Sequence, residues 1–331
     1  MFPNLLESDF VLKDFRFASG QALPELRQHY VTLGTPRRNA AGEIENAVLL
    51  IHNTTGTART WLEPGLAGEL FGAGQPLDAG KYFLIAPDCI GFGRSSKPSD
   101  GLRARFPNYR LHDIVAAQHR LVTEGVGVRR LELVLGLSLG GMMTWLFGGL
   151  YPGFMRRLVP VASQPGPMSG RNWIQRRINV EAIRNDPEWK GGDYETQPTG
   201  WTRVAPLSAL FIQSVARIQE MAPTREQGDA LYRQWVERAK AGDANDRLFQ
   251  IEATMDYDPA PLIGNIRARL LAINFADDAI NPPELGVVEP VIARIPGARH
   301  VLVPAGPQSQ GHINSMRAAP WKEQLAEFLR A

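Results

Sequence analysis

The fold is decided by the run Leu131-Glu132-Leu133-Val134-Leu135-Gly136-Leu137-Ser138-Leu139-Gly140-Gly141. Its apolar first half is typical of a buried strand, and residues 142–147, which follow it, predict a helix. Between them lies G-x-S-x-G, the pattern of a nucleophile elbow, in which a tight strand-to-helix turn exposes a serine hydroxyl. Small residues must flank that serine, which explains Gly136 and Gly140. A serine at the positive end of a helix attacks carbonyl carbon, so the run predicts acyl transfer to water or to another acceptor.

The composition of the 331-residue chain excludes several classes of function. With 44% hydrophobic and 21% charged residues a large core is expected, and the net charge of +2 gives no reason to expect nucleic acid or a membrane surface as a partner. No run approaches the ~20 apolar residues of a membrane span. The single cysteine, Cys89, excludes an intrachain disulfide. The first residues lack the pattern of a signal peptide, and we expect a cytoplasmic protein.

Strands alternate with helices along most of the chain, which predicts an α/β fold with a mostly parallel sheet flanked by helices. Residues 10–17 and 29–33 are expected to form an antiparallel edge. The other predicted strands are residues 47–51, 82–86, 131–135, 158–162, 270–275 and 301–304, and the clearest amphipathic helices are residues 112–124 and 321–329.

The alternation breaks between residues 163 and 261, where charged helical segments carry four tryptophans. We expect a core domain of residues 1–163 and 262–331 and a helical cap at residues 164–261, here called the inserted segment. A cap at this point of the chain would cover the serine and shape the acyl pocket. The tryptophans, Trp173, Trp189, Trp201 and Trp235, are better explained by packing within the cap than by a binding cage.

A serine needs a base to take its proton and an acid to orient the base. In this fold the order along the chain is Ser, then Asp or Glu, then His. Asp277 and Asp278 directly follow a late predicted strand, and His312 follows the last one. Position makes His312 the predicted base and leaves the two aspartates as alternative acids, with the unused one expected to bond nearby backbone.

None of the other five histidines follows the final strand. His29 lies in an early strand, and His300 opens a late strand. His112 and His119 are expected on the exposed side of a helix. His52 ends the first core strand and is expected to shape the loop beside it. All five are weaker candidates for the base.

The negative charge of a tetrahedral intermediate needs two N–H donors. One is expected from the backbone of Leu139, directly after the nucleophile, and the other from the loop after the first core strand, with Thr54 preferred over Thr55. Met142 and Thr55 are predicted to line the substrate pocket.

Other chemistries have little support in the chain. Cys89 lacks a cysteine-protease signature and is better explained as a small buried residue. Residues 91–96 do not form G-x-G-x-x-G, and the chain contains no H-E-x-x-H, C-x-x-C or Walker A run. The sequence therefore predicts no metal and no bound cofactor.

Motifs along nearly the whole chain resemble the homoserine O-acetyltransferase-like branch of the α/β-hydrolases. Residues 105–107 and 112–118 are similar to its R-F-P and D-M-V-x-A-Q runs, and residues 136–142 match its elbow with Leu139 in place of Met. The most specific match is residues 182–194, which resemble A-I-x-x-D-P-x-W-x-G-G-x-Y. Residues 278–284 and 311–312 are similar to its D-x-x-x-P-P-E and G-H runs, and this resemblance favours Asp278 as the acid.

Two departures from that branch bear on function. Its acetyltransferases carry G-L-x-x-A-R, whose arginine holds the amino-acid substrate, whereas residues 200–206 here lack an arginine in register. Arg203 is the predicted substitute from another place on the turn, and Pro206 is expected to disturb a helix there. The residues after His312 also differ from G-H-D-x-F-L. The missing arginine argues against homoserine as acceptor.

The sequence thus predicts a serine ester hydrolase for small, short-chain esters, above all acetyl esters. The alternative is an O-acetyltransferase that uses acetyl-CoA and an alcohol acceptor, because it would share every catalytic residue. A binding protein that retains the fold is the third hypothesis. The resemblance also implies a homodimer that associates through the cap helices.

Overall fold

Eight strands form one sheet in the computed structural model, which describes residues 4–331. Their order across the sheet is β1-β2-β4-β3-β5-β6-β7-β8, with parallel pairing from β4 through β8 and antiparallel pairing at β1 and β2. The predicted α/β-hydrolase architecture of a mostly parallel sheet flanked by helices is confirmed. The strands are β1 Leu6–Arg16, β2 Ala22–Leu33, β3 Ala47–Ile51, β4 Phe83–Pro87, β5 Leu131–Leu137, β6 Met155–Val161, β7 Arg269–Phe275 and β8 Arg299–Val303.

The central strands are apolar on both faces because helices cover the sheet from both sides. In β3 every residue is buried, and successive side chains enter opposite layers of the core: Leu49 and Ile51 pack on one side, Val48 and Leu50 on the other. The helices are α1 Pro64–Leu70, α2 Leu111–Arg120, α3 Leu139–Leu150, α4 Gly170–Arg184, α5 Ala205–Ile212, α6 Val215–Met221, α7 Arg225–Lys240, α8 Ala244–Glu252, α9 Val288–Ile292 and α10 Lys322–Arg330.

Most predicted elements occur within a few residues of their expected bounds. The two early strands are longer than predicted and pair as a hairpin, from Leu6 opposite Thr32 to Arg16 opposite Ala22. The predicted helix at 112–124 is α2 followed by a turn of π-helix at Leu121–Gly125. These shifts change no connection of the sheet.

Helices α4 to α8 all lie in the inserted segment, between β6 and β7. Pro206 is the second residue of α5, where a proline needs no hydrogen-bonded N–H, so the expectation that it disturbs a helix is wrong. The division of the chain into a core domain and a cap remains a prediction. Within residues 4–331, no helix combines the length and the apolar character that crossing a membrane requires.

Glycine is required on both sides of Ser138 because backbone atoms approach closely there. A Cβ at Gly136 would lie 2.1 Å from the carbonyl oxygen of Gly140, and a Cβ at Gly140 would lie 2.2 Å from the carbonyl oxygen of Ile51. Ser138 itself has φ 54° and ψ −108°, a conformation that L-residues rarely adopt. The turn therefore locks the end of β5, the start of α3 and the end of β3 together.

We expect Gly140→Ala to lower the free energy of unfolding by at least ~2 kcal/mol, since an added methyl in a tight site costs about 1–3 kcal/mol and backbone cannot move aside as a side chain can. Gly68→Ala is the matched control, because Gly68 lies in α1 with open space where its Cβ would be. There the same change should raise stability by roughly 0.5–1 kcal/mol. Urea unfolding followed by circular dichroism measures both, and equal effects would contradict the steric account.

Candidate active site

Ser138 stands at the turn between β5 and α3, beside the end of β6. Its backbone N–H donates to the carbonyl oxygen of Val161 at 2.8 Å, which ties the turn to the sheet. Its Oγ lies 2.6 Å from Nε2 of His312. The structure thus brings together two residues that are 174 positions apart in the sequence.

Asp278 completes a chain of hydrogen bonds with these two residues. Nδ1 of His312 lies 2.7 Å from Oδ2 of Asp278, whose side chain is fully buried. The other carboxylate oxygen accepts from the N–H groups of Ile280 at 2.8 Å and Asn281 at 3.1 Å. With Nδ1 donating to a carboxylate, Nε2 is left to accept the serine proton. The arrangement is that of a serine nucleophile, a base and an orienting acid.

Asp277, whose role the sequence left open, bonds the loop that carries His312. Its Oδ2 accepts from the N–H of Gly311 at 2.7 Å, and its Oδ1 accepts from Nδ2 of Asn314 at 3.0 Å. Gly311 and Asn314 flank His312 on the loop after β8. Asp277 therefore fixes the loop that carries the imidazole, and it does not touch the imidazole itself.

The predicted oxyanion donors belong to two different elements, the first turn of α3 and the loop after β3. Leu139 is the first residue of α3, so its N–H has no acceptor within the helix. Thr54 and Thr55 line the same cavity as Ser138. The roles of Leu139 and Thr54 as oxyanion donors remain predictions.

His52 holds the loop that carries Thr54. Its Nδ1 donates to the carbonyl oxygen of Asn53 at 2.7 Å, and its Nε2 accepts from the N–H of Cys89 at 3.0 Å. Both ring nitrogens are used by backbone, and burial lowers the pKa of His52, so the ring is neutral. The expectation that His52 shapes this loop is confirmed.

The remaining histidines make contacts elsewhere. Nδ1 of His29 bonds Asp9, and Nδ1 of His300 bonds Glu289. The expectation that the histidines of α2 are exposed is wrong: His112 and His119 are both partly buried, and His119 stacks on the ring of Tyr151 with centroids 3.9 Å apart.

Cys89 is fully buried and accepts a weak hydrogen bond from Nε2 of Gln118 at 3.4 Å. Burial raises the pKa of its thiol well above the ordinary value, which keeps it protonated and unreactive. The interpretation of Cys89 as a small buried residue is confirmed.

A cavity of about 110 Å³ opens at Ser138 and His312. Besides these two, its lining comes from the loop after β3, from the loops after β7 and β8, and from α4, α5 and α8 of the inserted segment. The lining residues outside the serine and histidine are Asn53, Thr54, Thr55, Gln175, Arg176, Asn179, Ser208, Ile212, Arg247, Gln250, Ile251, Thr254, Ile280, Ile313, Ser315 and Met316.

Two predicted substrate residues are absent from this lining. Met142 is a residue of α3 that packs in the hydrophobic core and is 8% exposed, because nearly every residue of α3 is buried. Arg203 is exposed at the surface, since the short helical turn Gly200–Val204 directs it outward. Both predictions are corrected, whereas Thr55 does line the cavity.

Sequence reasoning missed the two arginines that do line the cavity, Arg176 on α4 and Arg247 on α8. A signal for Arg247 existed in the helical spacing of the residues around it. Arg247, Gln250 and Ile251 recur at the i, i+3, i+4 spacing of one face of α8, Thr254 lies in the turn after that helix, and all four line the cavity.

Comparison with known proteins identifies the family of the chain. The family model of the alpha/beta hydrolase fold matches residues 46–310. A probable acyltransferase from Methanothermobacter thermautotrophicus is 26% identical over 330 residues, 99% of each chain. A homoserine O-acetyltransferase from Chlorobaculum parvum is 31% identical over 268 residues, which are 77% of this chain and 67% of that protein.

Solved structures show the same fold over nearly the whole chain. An acetylester hydrolase from Corynebacterium glutamicum superposes with a TM-score of 0.85 at 21% identity, covering 98% of this chain and 96% of that one. A homoserine O-acetyltransferase from Bacillus anthracis gives 0.84 at 21% identity, covering 99% and 98%. The chain therefore belongs to the α/β-hydrolase family and is an enzyme of it. The predicted likeness to the homoserine O-acetyltransferase branch is confirmed.

The two aspartates give a direct test of the site. A fluorophosphonate probe should label Ser138, and Ser138→Ala should abolish the labelling. Asp278→Asn should slow it by roughly 10³- to 10⁴-fold, because the amide favours the wrong tautomer of His312. Asp277→Asn is the matched control and should slow it far less, since one backbone hydrogen bond can persist. Mass spectrometry of the labelled peptide measures the rates, and equal slowing by both variants would contradict the assignment.

Proposed function

We propose that this enzyme is a serine carboxylic ester hydrolase for small, short-chain esters, with Ser138 as nucleophile, His312 as base and Asp278 as orienting acid. The observation that carries the proposal is the unbroken hydrogen-bond chain from Asp278 through His312 to the Oγ of Ser138, which faces a cavity. Neither a purely structural serine nor a binding site needs this chain.

In the proposed reaction, the Oγ of Ser138 attacks the ester carbonyl while Nε2 of His312 takes the hydroxyl proton. The N–H groups of Leu139 and Thr54 stabilise the oxygen anion of the tetrahedral intermediate. Collapse expels the alcohol, to which His312 returns the proton, and leaves an acyl-serine. Water then attacks that ester with the same base, and the acid product leaves with Ser138 restored.

The size of the cavity supports small substrates. Its volume of about 110 Å³ lies below the ~300–1,000 Å³ of sites for drug-sized ligands, so a long acyl chain does not fit without rearrangement. We propose that the inserted segment acts as a cap, because α4, α5 and α8 supply one wall of the cavity. The acyl group is proposed to be acetyl or another short chain.

An O-acetyltransferase is the second candidate, with acetyl-CoA as donor and an alcohol as acceptor. Two observations favour it: relatives with that name match much of the chain, and arginines line the cavity although the register arginine is missing. The two reactions share the acyl-serine and differ only in whether water or an alcohol attacks it.

The deciding measurement is the fate of the acyl group. The protein is incubated with p-nitrophenyl acetate and L-homoserine, and the acetylated products are identified by mass. We expect acetate as the product and its loss in Ser138→Ala, because water has access to the acyl-serine. O-acetylhomoserine as the main product would favour the transferase, and turnover that persists in Ser138→Ala would overturn both.

We also propose that the enzyme forms a homodimer through the inserted segment. Helix α4 exposes Trp173 by 40%, Ile174 by 59% and Ile178 by 38%, and Val215 at the start of α6 is 86% exposed. Apolar patches of this kind often mark association surfaces.

Light scattering after size exclusion tests the dimer. We expect twice the chain mass of 36.6 kDa for the native protein and a single chain mass for Ile174→Asp, because a buried charge without a partner opposes association. Leu285→Asp is the matched control, since Leu285 is 58% exposed and lies outside the inserted segment. A monomeric native protein, or dimers in all three samples, would contradict this surface.

A further inference from the structure

The cavity contains two cations and no acidic partner for them. Within residues 4–331, the side chains that line the cavity include Arg176 and Arg247 but neither Asp nor Glu. The pair faces the same space as Ser138 and His312. Two cations without a nearby carboxylate favour an anionic ligand at this site.

The hydrogen bonds of the two guanidinium groups differ. Nε of Arg176 donates to Oγ1 of Thr254 at 2.8 Å, and its Nη1 donates to the carbonyl oxygen of Asn172 at 3.2 Å. These neutral acceptors leave donors of Arg176 unused. The guanidinium of Arg247 makes no hydrogen bond and no ion pair with any group of residues 4–331.

The acids near α4 and α8 are committed to other partners. On α4, Glu181 pairs with Arg177. At α8, Asp243 accepts from Tyr194, Asp246 accepts from Ser99, and Glu252 pairs with Arg184. No carboxylate of these helices is therefore left to neutralise the two arginines.

Without a ligand, the positive charges of these two buried guanidinium groups are energetically unfavourable. Burial lowers the pKa of Arg176 to about 10, with the positive charge of Arg247 adding to the effect, and burial also lowers the pKa of Arg247. Both shifts mean that each charged group is less stable here than in water. An anion bound between the two guanidinium groups would reverse both effects.

We infer that the substrate of this site is an ester that also carries a carboxylate, and that Arg176 and Arg247 hold this carboxylate while Ser138 attacks the ester carbonyl. The inference rests on the proposed function and names its substrate class. Guanidinium groups suit this task because their planar N–H pairs match the two oxygens of a carboxylate. The carboxylate belongs either to the acyl half, as in a monoester of a dicarboxylic acid, or to the alcohol half, as in an acetylated hydroxy acid.

Matched pairs of esters test the inference and separate the two halves. For the acyl half, mono-p-nitrophenyl succinate is compared with p-nitrophenyl acetate. For the alcohol half, acetoxyacetate is compared with ethyl acetate. We expect kcat/KM to favour the charged member of one pair by roughly 10- to 100-fold, the usual effect of a charge-assisted hydrogen bond.

Variants of Arg247 test whether this residue causes the preference for the charged ester. Arg247→Met should remove most of it, and Arg247→Lys should retain part, because it keeps the charge without the fork of donors. The quantity compared is the ratio of kcat/KM for the two esters in the same variant, so general losses of activity cancel. Arg203→Met is the matched control: it removes an arginine that lies outside the cavity, and the ratio should stay at its native value.

A binding measurement on Ser138→Ala separates this inference from the proposed function. Succinate should raise the melting temperature of Ser138→Ala, and adding Arg247→Met should abolish that rise. Equal use of neutral and charged esters, with turnover still dependent on Ser138, would overturn the inference and leave the function standing. Stabilisation by succinate without Ser138-dependent turnover would support the arginine site and overturn the function. Stabilisation by inorganic phosphate but not by succinate would overturn the choice of carboxylate.

Discussion

The contact of backbone with backbone at the Ser138 turn is the constraint on which the rest of the site depends. Gly136 meets Gly140, and Gly140 meets the carbonyl of Ile51, at distances that leave no room for a side chain. This packing holds Ser138 at a positive φ, which few surroundings would stabilise. The direction of its hydroxyl is therefore set by the central strands. The same contact places the first N–H of α3 beside the loop that carries Thr54.

The other groups come from loops at the carboxyl ends of parallel strands, and each loop is held by a side chain that does not touch Ser138. His52 joins the loop after β3 to the backbone of Cys89, and Asp277 joins the loop after β7 to the backbone of Gly311 beside His312. Both ring nitrogens of His52 bond backbone, and Asp277 bonds the backbone of Gly311 with one oxygen and the side chain of Asn314 with the other. Such supports keep the reacting groups in position before a substrate arrives.

The sequence predicted the strands because strands depend on local patterns, and the expected fold pointed to Ser138 and His312, which the structure joins by a hydrogen bond. The choice between Asp277 and Asp278 depended on a family resemblance, since adjacent residues after one strand are equivalent by position alone. Met142 was misplaced because α3 is apolar on every side, so its composition does not show which face meets the cavity. The cavity arginines were missed because the packing of helices in the inserted segment decides which polar face turns inward.

The cavity arginines also weaken the sequence argument against homoserine as acceptor. That argument treated the missing register arginine as a missing charge, yet a carboxylate is stabilised by any guanidinium at the right distance, whichever helix supplies it. Here Arg203 turns outward before α5, while Arg176 on α4 and Arg247 on α8 face the cavity. The loops of the sheet therefore position the proposed reacting groups, and the inserted segment supplies the positive charge of the cavity. Because these two parts are built from different stretches of the chain, the preferred ester can change while Ser138, His312 and Asp278 keep their positions.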